Sequence, residues 1–453
     1  MDVNQIVAVL TDITAVPLMI ILLGGGIFLT VKNGFIQFRY FPYAMKKTIG
    51  SIFKKTDAKG TLTPFQAASS ALASTLGAAN IVGVPAAIAI GGPGSIFWMW
   101  VTAFVGMATK YSEIVLGIKY RRVNEKGDYV GGSMYYMTDG AGWKKLALGH
   151  AFLCALTIYS SVSVQANSIG GSISSGLGID PRITGCIVAL LIALVTTGGI
   201  KSIGKFAEKC VPAMSVAYML VGLAVIVVNI ESVPKAFEEI FVYAFRPISA
   251  VGGFVGAGLS TVIRIGVARG LYTNEAGNGS AAIAHSTAKT PHPSEQGMWG
   301  IFEVFFDTIV VCTVTALIIL TTDVWTTMSA EESAAMPGVA IGSVLGGNAG
   351  NILVSIFIFF FAFNTILLIT YYGEKRVEFL FGTKASVVAR YIYITAILVG
   401  TFSSLVFVWS LMDILFACVV IPNMVVVLYL SDDVRNLTRE YFSKVKKKIS
   451  TKE

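Results

Sequence analysis

Apolar runs long enough to cross a lipid bilayer recur along the whole chain, and the short segments between them hold most of its charge. About 20 mostly apolar residues span the hydrocarbon core as a helix. In lipid every backbone N–H and C=O must be satisfied internally, so helices are the expected answer to these runs. Eleven are legible: residues 15–30, 64–90, 95–118, 148–176, 183–199, 211–230, 250–284, 297–320, 351–372, 387–401 and 405–430. A shorter segment, 40–52, carries Lys46 and Lys47 and reads as an interfacial amphipathic helix.

Composition closes the soluble alternatives. Only 13% of the 453 residues are charged, against about 25% in ordinary soluble domains. The net charge of +8 does not mark a nucleic-acid binder, because the basic residues form no continuous stripe. The five cysteines lie in or beside apolar runs without a CxxC pair, so they read as small buried hydrophobes rather than a zinc or redox site. Asp2 and Asp12 precede the first run and no lysine does, so a retained helix is expected there rather than a cleaved signal.

Eleven spans place the termini on opposite sides of the membrane. Lysine and arginine concentrate on the cytoplasmic side. With the N-terminus outside, and Lys110 counted at the inner end of its span, only Arg182, Lys235 and Arg246 fall on the outer side, and only Arg264 and Arg269 fall in the body of a span. The chain is therefore expected to form one cell-membrane domain with a basic cytoplasmic tail at 431–453.

Two spans should be interrupted. The first opens with Thr63-Pro-Phe-Gln66, a capping box with proline at the first helical position. Its middle, Thr75-Leu-Gly77-Ala78-Ala79-Asn80, is a natural unwinding point. The run 250–284 would reach roughly 50 Å as one straight helix. Its middle, Thr273-Asn-Glu275-Ala-Gly277-Asn278-Gly279-Ser280, is a turn-forming cluster with an ionisable group. Close helix packing on small residues is the other reading, and it explains the second cluster poorly. Each cluster sits in the first helix of a five-helix group, 64–230 and 250–430. Five is odd, so the groups enter the bilayer from opposite sides. Paired interrupted segments in such an inverted repeat point to a substrate site.

An interrupted helix offers free N–H groups at one half-helix end and free carbonyls at the other. An amino-acid zwitterion suits both, and a sodium ion suits the carbonyls. Asn80 and Ser280 are candidate caps. Gln165, in an apolar run, suits either a substrate carboxylate or an interhelical hydrogen bond. The paired residues Asn364 and Thr365 suit either a cation or another helix. Lys110 and Glu113 are expected to form a structural ion pair or gate latch. Arg269 is expected to neutralise Glu275. Glu303 and Asp307 share a helix face, and are expected to pair with Arg264 or Arg269, or to relay protons. Asp413 is a further candidate partner. No nucleotide-binding loop or catalytic constellation is present.

Several long motifs resemble the alanine or glycine:cation symporter family over nearly the whole chain. They include Gly91-Gly-Pro-Gly-Ser-Ile-Phe-Trp-Met-Trp100, Gly106-Met-Ala-Thr-Lys110-Tyr-Ser-Glu113, Gly199-Ile-Lys-Ser-Ile-Gly204, Arg269-Gly270, Asn274-Glu-Ala-Gly277, Asp307-Thr-Ile-Val-Val-Cys312 and Tyr371-Tyr-Gly-Glu374. The resemblance implies the LeuT-like fold of the amino acid–polyamine–organocation superfamily, with one extra N-terminal helix. It also implies sodium-coupled uptake of alanine or glycine, with no organic cofactor and no enzyme activity. The substrate is then expected near Thr75, Gly77, Ala78, Ala79, Asn80, Gln165, Thr273, Gly277, Asn278, Gly279 and Ile369. Sodium is expected on the carbonyls of Ala73 and Leu76 with the oxygens of Asn364 and Thr365. The family pattern usually has Gly-Thr-Gly-Asn at 77–80, Leu at 278 and often Trp at 369, so Ala78, Asn278 and Ile369 bear on substrate choice. A proton-coupled or passive carrier, a channel and a binding-only receptor are the alternatives.

Overall fold

The computed structural model describes residues 3–52, 57–246, 248–249, 256–402 and 405–450. The start of the expected 250–284 span and the side chain of Asp413 lie outside the described set. Among the described residues the only regular strands are a small ribbon, Arg122–Val123 against Tyr129–Val130. The rest of the regular structure is helical.

Six helices are long and apolar enough to cross a membrane: Gly94–Lys119, Lys144–Leu177, Gly199–Val228, Pro293–Thr321, Ala349–Phe381 and Thr383–Thr401. Two bent pairs raise the number to eight, among them Pro64–Thr75 with Ala79–Gly91, bent by 45°. Helices Val3–Lys32, Pro181–Thr196 and Leu259–Asn274 also stand where spans are expected. Length and apolarity alone do not qualify them as crossings, so the count of eleven is not reached on that criterion.

The polarity is inside out relative to a soluble protein. Leu190, Leu194, Leu220, Val227 and Val228 are exposed on the outer surface. Lys110, Glu113, Glu303, Asp307 and Asn80 are fully buried. That distribution suits a lipid environment, where ionisable groups turn inward and pair. Helices approach closely on small residues. A Cβ on Gly266 would lie 2.4 Å from the carbonyl oxygen of Ser95, and one on Gly400 2.3 Å from that of Ser163.

The expected capping box at Thr63 is present. Gln66 N donates to Thr63 Oγ1 and Thr63 N to Gln66 Oε1, both at 3.1 Å. The entry to this first interrupted helix is tied to the exit of the second. Thr61 N and Leu62 N donate to Thr287 O, and Lys289 N donates to Leu62 O. Arg121 adds hydrogen bonds to the carbonyls of Ser286 and Ala288. The expected interfacial segment forms helix Phe41–Ile49, beside the C-terminal helix Ser431–Ser450, with Tyr43 and Tyr441 hydroxyls 2.8 Å apart.

Candidate functional site

Both predicted interruptions are real, and each has a local cause. Helix Pro64–Thr75 stops at Leu76, whose ψ of 81° leaves the helical region. Gly77 and Ala78 follow, then a π-helical turn, Ala79–Gly83, then helix Val84–Gly91. The freed N–H groups find side-chain oxygens. Gly77 N donates to Asn80 Oδ1 at 3.0 Å and Ala78 N to Gln165 Oε1 at 3.1 Å. Gly77 is required here, since a Cβ would sit 2.7 Å from Thr365 Oγ1.

The second interruption begins after Asn274. Its side chain accepts from Ala276 N at 3.0 Å, the Asx-turn geometry that competes with helix. Glu275 then takes a left-handed conformation, φ +53°, which costs a residue with a Cβ roughly 1–2 kcal/mol. Hydrogen bonds to its carboxylate from Ser280 at 2.7 Å and Ser74 at 3.4 Å hold it there. Because Ser74 belongs to the first interrupted helix, Glu275 links the two breaks. Among the described residues Arg269 is not one of its partners.

Lys110 and Glu113 lie one turn apart on helix Gly94–Lys119 and serve opposite ends of the second break. Lys110 Nζ donates to Asn274 O at 3.0 Å, where the first half-helix ends. Glu113 Oε1 accepts from Gly279 N at 2.8 Å, where the second half begins. Each charge matches the polarity of its half-helix terminus. The expected Lys110–Glu113 pair is replaced: Lys110 makes its ion pair with Glu303, Nζ to Oε2 3.4 Å. Glu303 also meets His285 Nε2 at 2.7 Å, and neither of the expected arginines. Charge spacing along one helix did not reveal partners brought in from another.

Asp307 lies in a second π-helical turn, Phe305–Val311. Its Oδ1 accepts from Asn80 Nδ2 at 2.7 Å and its Oδ2 from Thr308 Oγ1 at 2.7 Å. Thr308 is 3.3 Å from Thr273 Oγ1. Asp307 thus joins the first break to the end of the helix before the second. Thr273 belongs to this network.

Thr365 sits on the free carbonyls of the first break. Its Oγ1 is 3.0 Å from Ala73 O and 3.5 Å from Leu76 O. Asn364 turns its amide nitrogen toward Phe360 O, Cys210 and Met214. Its Oδ1 is buried without a hydrogen-bond partner. The structure therefore joins Ala73, Leu76 and Thr365 directly, and leaves Asn364 beside them with an unused acceptor.

Two small cavities, about 10 Å³ each, lie at the breaks, one between the two and one beside the second. That volume is roughly what one water needs, so the site is nearly closed. One is lined by Thr75, Ala79, Gln165, Glu275, Thr365 and Ile369, among others. The other holds Asn278, Ser280, Tyr372 and Arg376, and shares Ser161, Glu275 and Ile369 with the first. Gly277 and Gly279 line neither. Side chains there would run into Leu22 and Met424, and into Ser133 and Asn423 respectively. Both have positive φ, +93° and +73°. Gly279→Ala is expected to cost at least about 1–2 kcal/mol from backbone conformation alone. A clear fall in melting temperature in detergent checks this, and an unchanged value contradicts it.

Two participants escaped sequence reading. Asn423 donates to Glu113 Oε1 at 2.6 Å and to Gly277 O at 2.7 Å. Its signal was a lone amide beside Pro422 in an apolar run. Arg376 lies beyond the end of the apolar run 351–372, in a charged stretch that begins at Glu374. Helix Ala349–Phe381 instead carries it inward, and it is 1% exposed.

Known proteins resemble this chain in sequence and in fold. Residues 1–453 match the sodium:alanine symporter family. The chain is 44% identical over 427 residues to the uncharacterized transporter YflA of Bacillus subtilis, covering 94% of this chain and 91% of YflA. It is 40% identical over 431 residues to the sodium/alanine symporter AgcS of Methanococcus maripaludis, covering 94% of each. Its fold resembles the crystal structure of MhsT in complex with L-phenylalanine, at TM-score 0.61 and 12% identity, covering 82% of this chain and 89% of MhsT.

Proposed function

Because this chain belongs to the sodium:alanine symporter family, and so is a multi-pass membrane transporter rather than an enzyme, we propose that it couples inward sodium movement to uptake of a small neutral amino acid, alanine or glycine, by alternating access. The observation that carries this reading is the first break. There the Thr365 hydroxyl meets the free carbonyls of Ala73 and Leu76, while Gly77 and Ala78 present N–H groups a few residues on.

Sodium would sit on the Ala73, Leu76 and Thr365 oxygens, with the unused Asn364 Oδ1 as a further ligand. The substrate carboxylate would take the places now held by Asn80 Oδ1 and Gln165 Oε1. Its ammonium would face the carboxylate side of the site, at Glu275. Ile369 would bound the small side chain. Lys110, Glu113 and Asp307 would hold the two breaks in register through the cycle.

The membrane arrangement is eleven spans with the N-terminus outside, in repeats 64–230 and 250–430 after an extra first helix. The placement of lysine and arginine supports it. In this orientation the hydrogen bonds of residues 61–62 to 287–289 close the cytoplasmic side. A cavity of about 180 Å³ lined by Val82, Asn167, Ser168 and Ser172, among others, would open outward.

One sodium ion crossing 100 mV gains about 2.3 kcal/mol, which supports roughly 50-fold accumulation. No nucleotide is required. Proteoliposomes holding the full chain should take up alanine or glycine when a sodium gradient is imposed, and not with potassium alone. Uptake driven only by a proton gradient would replace sodium as the coupling ion. Uptake indifferent to every ion gradient would overturn symport.

A further inference from the structure

Helix Ala349–Phe381 carries Thr365, Ile369, Tyr372 and Arg376 at spacings of four, three and four, so they form one stripe along its face. Thr365 stands at the first break, and Ile369 borders both cavities. Arg376 lines the second cavity, with Glu275, Asn278 and Ser280 also on its walls. Ile369 and Arg376 are about 10 Å apart along the axis. A helical side chain leans toward the N-terminus, so the guanidinium reaches back toward Ile369.

Arg376 is an unusual group to leave unfinished. It is 1% exposed, and its Nε and Nη2 have no hydrogen-bond partner. These nitrogens share one edge of the guanidinium. Two parallel N–H groups on one edge match the two oxygens of a carboxylate. A carboxamide offers one acceptor and would turn its own donor toward the second N–H. The carboxylate of Glu275 is already engaged by Ser280 and Ser74.

We propose that Arg376 forms a side-chain subsite for a second carboxylate, so that the protein accepts dicarboxylic amino acids of the aspartate or glutamate type at the same site as a neutral one. This rests on the symport reading above, and it extends the substrate class beyond alanine and glycine. The α-carboxylate and ammonium keep their places at the breaks. The side chain passes Ile369 toward Arg376, and the second cavity, about 10 Å³ in this closed arrangement, widens to admit it.

The test uses the full-length protein in detergent and in proteoliposomes. Thermal melting is followed in sodium with alanine, aspartate, glutamate, asparagine and glutamine. At least one acidic amino acid should stabilise the wild type at a concentration about tenfold or more below its own amide. In R376Q that preference should vanish, while R376K should keep part of it as a point charge without the two-pronged edge. Sodium-driven uptake of the acid should fall in R376Q relative to uptake of alanine. If sodium drives alanine uptake but neither acid binds or competes in the wild type, the subsite is wrong and symport stands. If R376Q lowers binding of every amino acid equally, Arg376 serves closure with Glu275 and the subsite is also wrong. If no amino acid is carried under any ion gradient, the symport reading fails. The melting comparison of acid with amide still decides the subsite, which falls if the wild type shows no preference for the acid.

Discussion

Thr365→Val should abolish sodium-driven uptake while leaving the chain folded. The substitution keeps the shape of the side chain and removes only its oxygen. That oxygen lies 3.0 Å from Ala73 O and 3.5 Å from Leu76 O, on carbonyls freed where helix Pro64–Thr75 ends. Losing the hydrogen bond to a buried carbonyl costs about 1–3 kcal/mol, which a transporter of this size tolerates. Losing a ligand to the cation is a different loss, visible only when sodium is present. At 100 times its dissociation constant a bound ion stabilises the native state by about 2.7 kcal/mol. Wild-type melting should therefore rise with sodium, and the variant's should stay flat over the same range. Sodium-dependent uptake or stabilisation that survives in the variant would remove Thr365 from the cation site.

Lys110→Met should be strongly destabilising. Lys110 and Glu303 are both fully buried, and their ion pair at 3.4 Å is joined by the bond from Lys110 to Asn274 O. Removing one member of a buried pair leaves an uncompensated charge and typically costs about 3–5 kcal/mol. Here it also strips the terminus of helix Leu259–Asn274 of its cation. Adding Glu303→Gln to Lys110→Met removes the stranded carboxylate, so the double variant should be more stable than the single one. Melting temperatures of the two single variants and the double variant test this through their non-additivity. Simple additivity would show that Lys110 and Glu303 act independently. A single variant as stable as the wild type would show that the pair holds nothing in place.

Local chemistry made much of the architecture readable. The Thr63–Gln66 capping box, the break after Thr75 and the break after Asn274 follow from short-range preferences, and the structure places all three as expected. The conjunction of Thr365 with Ala73 and Leu76 was accessible only through family resemblance, because nearly 300 residues separate them. The charge partners were not accessible either way. Lys110 and Glu113 looked like a pair on one helix, yet one meets Glu303 and the other meets Gly279 and Asn423. Arg376 follows an apolar run in a charged stretch, and only the neighbouring helices make it interior.

The sequence by itself determined that this is a bundle of membrane helices with two interrupted ones, because apolar run length, glycine and Asx chemistry act within a few residues. Tertiary structure alone decided which buried charges face one another, and that two glycines of the second break pack away from the cavities. Coulomb and hydrogen-bond partners are chosen by distance in space, and within lipid an ionisable side chain must find a partner wherever the packed helices bring one.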